Sequence, residues 1–442
     1  MQMMSLTFVY LFLPAALAVY YIVPRAGRNA VLALISAAFF ALAQPGSFWL
    51  FAGSVALHFT LSEAMRRAEG RQKLRRALMV FGVLENVGVI LWFSVRCQLD
   101  GTQMPLGTMV VSVTALGYIV DVYKHDAEYE RNFIDYALFA TFFPKLYTGP
   151  LVRIDQMRDD IRGRRFSLDV MSDGFVLFIR GLAKYVLLAT PLEEMYDGLK
   201  AAGENELSVL GAWMITVTLA MTLFFKLSGF CDMARGVGLL FGLELPKNFY
   251  FPFQSPCVTD FLDRFNMTVT QFFRHYVYDN LQTKRSTALQ FTLNTVLICM
   301  LCGLWFGVKL SYIFWGLYIA AFIVLEKLWL GERLQRIPAL FRRVYTFCVT
   351  MVSMVIFSGD SLTQISQYFK AMVGAGVPFY TSEVAYILSG NYIALVAGVL
   401  LSTSTLSMAA DYVRRRRPGL MDAVSLVGSL AMLALTTAFM IK

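Results

Sequence analysis

The run DFLDRFNMTVTQFFRHYVYDN, Asp260 to Asn280, places three aspartates, two arginines and a histidine among phenylalanines and tyrosines. On a helix, Asp260 and Arg264 stand four residues apart, the spacing of a favourable ion pair. Arg264, Met267, Gln271 and Arg274 share a second stripe. These residue types can move protons: an unperturbed histidine has a pKa of about 6.5, and Asp263 or Asp279 could serve as a general base. The plain alternative is a cytosolic amphipathic helix with a solvated charged face. The functional one is a helix lining a cavity. Spacing alone leaves both open.

Other ionisable residues sit in or beside apolar runs: Asp121, Lys145 in FFPKLYTGP, Lys184 in GLAKYVLL, and Asp232 with Arg235 in GFCDMARG. Such groups are costly inside a membrane and by default mark function, although Asp232 and Arg235 at i, i+3 also fit a structural ion pair. His58, alone in GSVALHFTL, reads as a hydrogen-bonded packing residue. His125 falls on a polar loop. No HExxH or other metal-spaced cluster is present, so no metal site is expected. Cys299 and Cys302 form a CxxC with no second cysteine pair, and read as small packing residues. There is no Walker A run and no GxSxG elbow.

These side chains need a scaffold, and composition says which. Of 442 residues, 57% are hydrophobic and 16% charged, against about 25% charged in soluble domains. Mean hydropathy is +0.58. The fold class expected is an all-α polytopic membrane protein. Apolar runs long enough to cross a bilayer number about twelve: 5–23, 29–43, 47–63, 77–95, 106–122, 170–190, 207–226, 287–304, 311–328, 344–358, 386–406 and 422–440. The first follows no basic stretch and reads as a retained span.

The net charge of +9 and pI of about 9.2 follow from loop asymmetry. Arg25 and Arg28, RRAEGRQKLRR, Lys124 with Arg153 to Arg165, Lys247 to Arg285, GERLQRIPALFRR and Arg414 to Arg417 all fall on one side if the N-terminus is outside. Basic loops collect in the cytoplasm. The expected location is therefore the cell membrane, multi-pass, with the lipid bilayer as partner and no nucleic acid. Asn132 to Arg153 and Lys226 to Phe253 begin and end on the basic side and are broken by Gly and Pro. Broken backbone at membrane depth survives only where protein or a wet cavity satisfies it. Both segments read as re-entrant or cytoplasm-facing pieces packed inside the bundle. With no internal repeat, residues 1–442 read as a single membrane domain.

Several stretches, in order, resemble the membrane-bound O-acyltransferase family. MPLGTMVVSVTALGYIVDVYKH is similar to LPxGISFYTFxxxSYxIDVYR, FATFFPKLYTGPLVRIDQM to FFPxLIAGPIVR, and FIRGLAKYVLLATPL to GLAKKVLIAD. LSGFCDMARGVGLLFGLELPKNFYFPF and the polar run after it follow FSGYSDMAIG…PxNFxxPY…EFWRRWHISLSxWxRDYxY. LCGLWFGVKLSYIFWGLYIAAFIVLE follows xxGLWHGAxWxFxxWGxxHGxxLxxE. The resemblance is strongest to bacterial alginate O-acetylases, with D-alanyl-lipoteichoic-acid transferases more distant. It covers a core of about residues 1–330, while the spans in 331–442 match no motif. It implies a ring of about twelve spans plus re-entrant helices around a central cavity. It also implies an acyl thioester donor, acyl-CoA or an acyl carrier, with no bound cofactor. The acceptor would be an envelope hydroxyl, and a periplasmic or extracellular acetyltransferase is a fitting partner.

The resemblance places Lys145, Arg153, Asp232, Asp263, Arg264, Arg274, Tyr276, Tyr278 and Trp305 along the substrate channel. It also exposes a departure. The histidines of LWHG and RWHIS are here Phe306 and Asn266. A phenyl ring accepts no proton; Asn266 can donate an amide hydrogen bond but cannot act as base. His275 is nine residues beyond Asn266, about 900° and 13.5 Å along one helix. It would face away unless the helix breaks between them. Three readings follow: an active acyltransferase with a relocated base; a silent relative that binds or passes an acyl donor or lipid, or supports an envelope complex; and an unrelated transporter. The ordered motifs argue against the last.

Overall fold

Backbone that enters hydrocarbon must satisfy its own hydrogen bonds, and a helix does so within one segment. The computed structural model describes residues 3–101, 105, 107–147, 149–164, 167–281 and 287–441. Of the stretches singled out above, Met104, Leu106, Thr148, Arg165, Lys284 and Arg285 lie outside the described residues. Apart from one antiparallel bridge at Phe249 and Phe265, every regular element among the described residues is helical.

Among the described residues, seven helices are long and apolar enough to cross a membrane: Arg25–Ala43, Gln72–Cys97, Leu168–Asn205, Val209–Leu240, Leu310–Arg336, Ala339–Ser358 and Met421–Ile441. The pair Ser382–Gly390 and Tyr392–Leu401, bent by 65°, makes an eighth if it acts as one span. Phe8–Ile22 and Ala288–Leu304 are shorter apolar helices.

Two expectations need correction. The span expected at 170–190 does not end there: the helix that starts at Leu168 continues to Asn205 through a π-helical turn at Lys184–Ala189. Pro191 stands just after that π turn, where the i→i−4 ladder is already interrupted and a missing N–H costs least. In Lys226 to Phe253 the break comes later than expected: the chain leaves helix only after Leu240, at Gly242, and Val209–Leu240 is one uninterrupted helix. Its glycines serve close packing: a Cβ at Gly236 would lie 2.5 Å from the Phe178 nitrogen and 2.6 Å from the Gly174 carbonyl oxygen. Small residues let helices approach at this range.

The described chain divides into two compact units. One comprises Met1–Gly181 and Phe230–Lys247. Its core is aromatic: Phe39 and Phe143 centroids lie 5.2 Å apart, Phe12 and Phe143 5.6 Å, and Tyr20 and Phe241 5.0 Å. Here the expected interruption of Asn132 to Arg153 is present. Helix Phe133–Thr141 ends, a 3-10 turn follows at Phe143–Leu146, and a helix resumes only at Ile154. Phe142, Phe143 and Leu146 are fully buried.

The other unit comprises Leu182–Gly229 and Asn248–Lys442. Met195, Leu199, Ile215 and Val384 form one of its apolar clusters, and Ala212, Val355, Ala371 and Met372 another. Helices Ala288–Leu304 and Leu310–Leu325 pack through glycine. A Cβ on Gly303 would stand 2.2 Å from the Tyr312 carbonyl oxygen, and one on Gly316 2.5 Å from that of Cys299.

Candidate functional site

The polar run breaks at Asn266. Val258–Arg264 is one helix and Met267–Phe273 the next; Asn266 between them has φ 55 and ψ 51. Asparagine and histidine are the non-glycine residues, with aspartate, that best tolerate this left-handed region. Asn248 clasps the break. Its Nδ2 donates to Asn266 Oδ1 at 2.9 Å, and its Oδ1 accepts from the Thr268 N–H at 2.8 Å and the Thr268 hydroxyl at 2.9 Å. Backbone bonds from Tyr250 N to Arg264 O (3.0 Å) and from Met267 N to Asn248 O (2.9 Å) complete the clasp.

The Arg264, Met267, Gln271 and Arg274 stripe is therefore not one helical face, because the turn at 265–266 divides it. Asp260 and Arg264 do pair, at 2.8 Å. Asp263 pairs across the break with Arg274 at 2.8 Å.

From Met267 to Leu281 the chain stays helical, widening to a π-helical turn at Arg274–Tyr278. No break separates Asn266 from His275, which was the condition for His275 to take over the place of Asn266. His275 sits within the π turn with its side chain about one-third exposed, its Nδ1 3.9 Å from the Asp279 carboxylate and its ring edge-on to Tyr276.

A cavity of about 230 Å³ opens beside this segment. Arg274 and Lys327 supply its cations, Thr259, Thr270, Thr295 and Tyr278 its hydroxyls, and Leu262, Phe291, Ile298 and Ile323 its apolar wall. Of the residues singled out from sequence, Arg274 and Tyr278 line it. Lys327 and the threonines were missed: a lysine at the end of an apolar run reads as a snorkelling anchor, and isolated threonines carry no signal.

Glu326, the last residue of the GLWFG-to-LE stretch, holds the neighbouring helix in place. Its buried carboxylate accepts from the Val258 N–H at 2.7 Å, the Thr259 N–H at 3.2 Å and the Thr259 hydroxyl at 3.1 Å. It thus caps Val258–Arg264 from a distant part of the chain.

Phe306 lies in an aromatic cluster. Its ring centroid is 5.3 Å from Phe357, 6.2 Å from Trp315 and 6.3 Å from Tyr312. Trp305 beside it is half-buried. The position is packed with rings and holds no proton acceptor.

Three of the expected residues belong to the other unit. Lys145 is fully buried; its Nζ donates to the Phe139 carbonyl and stands 4.5 Å over the Phe139 ring. Burial pushes its ammonium pKa down to about 7. Arg153 reaches the buried Asp121 carboxylate at 3.6 Å and Asp155 at 3.0 Å. Asp232 pairs with Arg235 at 3.7 Å. His58 is buried and hydrogen-bonded as expected. Its Nε2 lies 2.9 Å from the Glu85 carboxylate and 2.7 Å from the Asn86 amide. Glu85 and Asn86 were overlooked, although an acidic residue inside the apolar GVLENVGV was a readable signal.

Residues 48–366 match the model of the membrane-bound O-acyltransferase family. A Pseudomonas fluorescens protein named "Probable alginate O-acetylase AlgI" is 30% identical over 378 residues, covering 84% of this chain and 75% of the relative. A Helicobacter pylori peptidoglycan O-acetyltransferase is 24% identical over 417 residues, 83% of this chain and 79% of the relative. A Bacillus subtilis teichoic acid D-alanyltransferase is 28% identical over 193 residues, 41% of this chain and 48% of the relative.

Proposed function

Because the chain belongs to the membrane-bound O-acyltransferase family, we propose that it moves an acyl group, acetyl foremost, from a cytoplasmic thioester to a hydroxyl on an envelope polysaccharide. The family match across residues 48–366 is the observation that carries this reading. The names of the relatives, which act on alginate and peptidoglycan, point to the polymer class. The chain works in the cell membrane as a twelve-span ring with its N-terminus outside. Short apolar helices such as Phe8–Ile22 and Ala288–Leu304 complete the ring where the bilayer thins or flanking residues snorkel. An envelope-side acetyltransferase is the fitting partner.

In the reaction the acceptor hydroxyl attacks the thioester carbonyl carbon, the C–S bond breaks, and the proton passes to the departing thiolate. On this reading His275, 3.9 Å from the Asp279 carboxylate, relays that proton from a position other than that of the family histidines. Arg274 and Lys327 hold the anionic parts of the donor. The free amide hydrogens of Asn266 suit a developing oxyanion.

A second reading is favoured by one observation: neither position of the family histidines holds a base. Asn266 is tied into the Asn248 clasp, and Phe306 is packed among rings. A silent relative that binds a donor or lipid for an envelope complex would look like this.

Transfer of label from acetyl-CoA to envelope polymer separates the two. On the first reading wild-type membranes transfer label and His275→Ala lowers the rate about a hundredfold or more. On the second, wild type transfers nothing and Phe306→His with Asn266→His gains activity. Histidine is among the residues that tolerate the left-handed backbone of position 266.

A further inference from the structure

We infer that the unit of Met1–Gly181 and Phe230–Lys247 contains a binding pocket for a phosphoryl-bearing anion, built around Arg75. A cavity of about 700 Å³ lies where the end of Phe48–Arg67, the start of Gln72–Asp100 and the chain after Thr108–Lys124 converge. Four arginines line it, Arg66, Arg75, Arg131 and Arg162, against two carboxylates, Glu69 and Glu128.

Arg75 is the unusual member. It is only 4% exposed, yet its guanidinium touches only neutral acceptors. It donates to the Val122 carbonyl at 3.2 Å, the Tyr123 carbonyl at 3.0 Å and His125 Nε2 at 2.8 Å. Its Nε is buried with no partner. Arginine offers no acceptor, so His125 Nε2 is the acceptor of this bond. Among the described residues no carboxylate pairs with Arg75. A buried cation without a counter-ion is costly, and an anion entering the cavity would compensate it.

The other arginines define what that anion is. Arg66 is held by a bidentate bond to Glu63, at 2.9 and 2.7 Å, and lies over the Tyr129 ring. Arg162 is held by Glu130 at 3.1 Å. Arg131 is exposed and, among the described residues, makes no ion pair. With Arg66 and Arg162 engaged by carboxylates, Arg75 and Arg131 are the two guanidinium groups left to meet a group with several charged oxygens. The cavity far exceeds a lone phosphate, and Met65 and Tyr129 give it an apolar wall. The ligand is thus a phosphoryl group on a larger body, which a nucleotide-derived thiol carrier and a phospholipid headgroup both present. This inference concerns binding alone and holds whether or not the chain catalyses transfer.

The test uses the full chain in detergent with pyrophosphate and unacylated coenzyme A, and in nanodiscs with or without phosphatidylglycerol. Wild type binds a phosphoryl probe, and Arg75→Gln and Arg131→Glu each weaken it about tenfold or more. Arg131 is exposed, so its substitution leaves the packed core intact and decides the matter should Arg75→Gln fail to fold. Calorimetric binding of pyrophosphate or coenzyme A assigns the soluble source. A thermal shift seen only with phosphatidylglycerol and lost in Arg131→Glu assigns the lipid. The inference is overturned by no response to any probe, by binding unchanged in Arg131→Glu, or by citrate binding as tightly as pyrophosphate.

Discussion

At position 266 the backbone is left-handed, and that single fact organises the polar run. Asparagine serves the turn, and its Oδ1 accepts from Asn248. Lys145 presents a different residue-scale problem. It is a fully buried amine whose hydrogen-bond acceptor is a carbonyl, in a broken segment outside the long spanning helices. Its folded pKa is about 7, against about 10.4 in an unfolded chain. Between those values the unfolded state binds more protons, so stability rises with pH; below about 7 both states are protonated and the dependence ends. The thermal midpoint of wild type should therefore climb between pH 7 and pH 10 relative to Lys145→Met, which should itself be at least as stable as wild type at pH 7. Parallel midpoints for the two proteins across this range would refute the assignment.

At the scale of elements, short helices need ends satisfied from elsewhere. Val258–Arg264 has seven residues, too few to be stable alone. Glu326 supplies its cap from the far end of the helix that begins at Leu310. Removing it strands buried N–H groups, which costs about 1–3 kcal/mol. Glu326→Ala should destabilise the chain by about that amount, and Glu326→Gln by less, since its amide oxygen still accepts. Denaturant titration in detergent reads both, and equal losses would show that the carboxylate shape is irrelevant. The sequence displayed Glu326 as the closing residue of a motif, but not what it touches. A contact between residues 68 positions apart leaves no periodic trace. The ion pairs Asp260–Arg264 and Asp232–Arg235 were legible because they are helical neighbours.

For the whole molecule, charge asymmetry makes the strongest claim. With basic loops in the cytoplasm, Arg415→Cys should react with a membrane-impermeant maleimide only after permeabilisation, whereas Ala375→Cys, in the turn after Leu362–Met372, should react in intact cells. Exchanged labelling would reverse the orientation, and both labelled from one side would remove the span between them. Helix continuity was harder to read. The glycines of GFCDMARGVGLL look like interruptions, yet Gly236 sits where another helix passes close by, and the helix runs through it.

Composition, hydropathy and ordered motifs by themselves determined an all-helical membrane chain, its family and the loss of imidazole at positions 266 and 306. Each of these depends on residue identity or on spacing within one segment. Tertiary structure alone decided that the polar run turns at Asn266, that Phe306 packs among Tyr312, Trp315 and Phe357, and that Arg75 is buried with no carboxylate paired to it among the described residues. Those outcomes depend on which distant residues fill a site, and burial by distant residues leaves no local pattern.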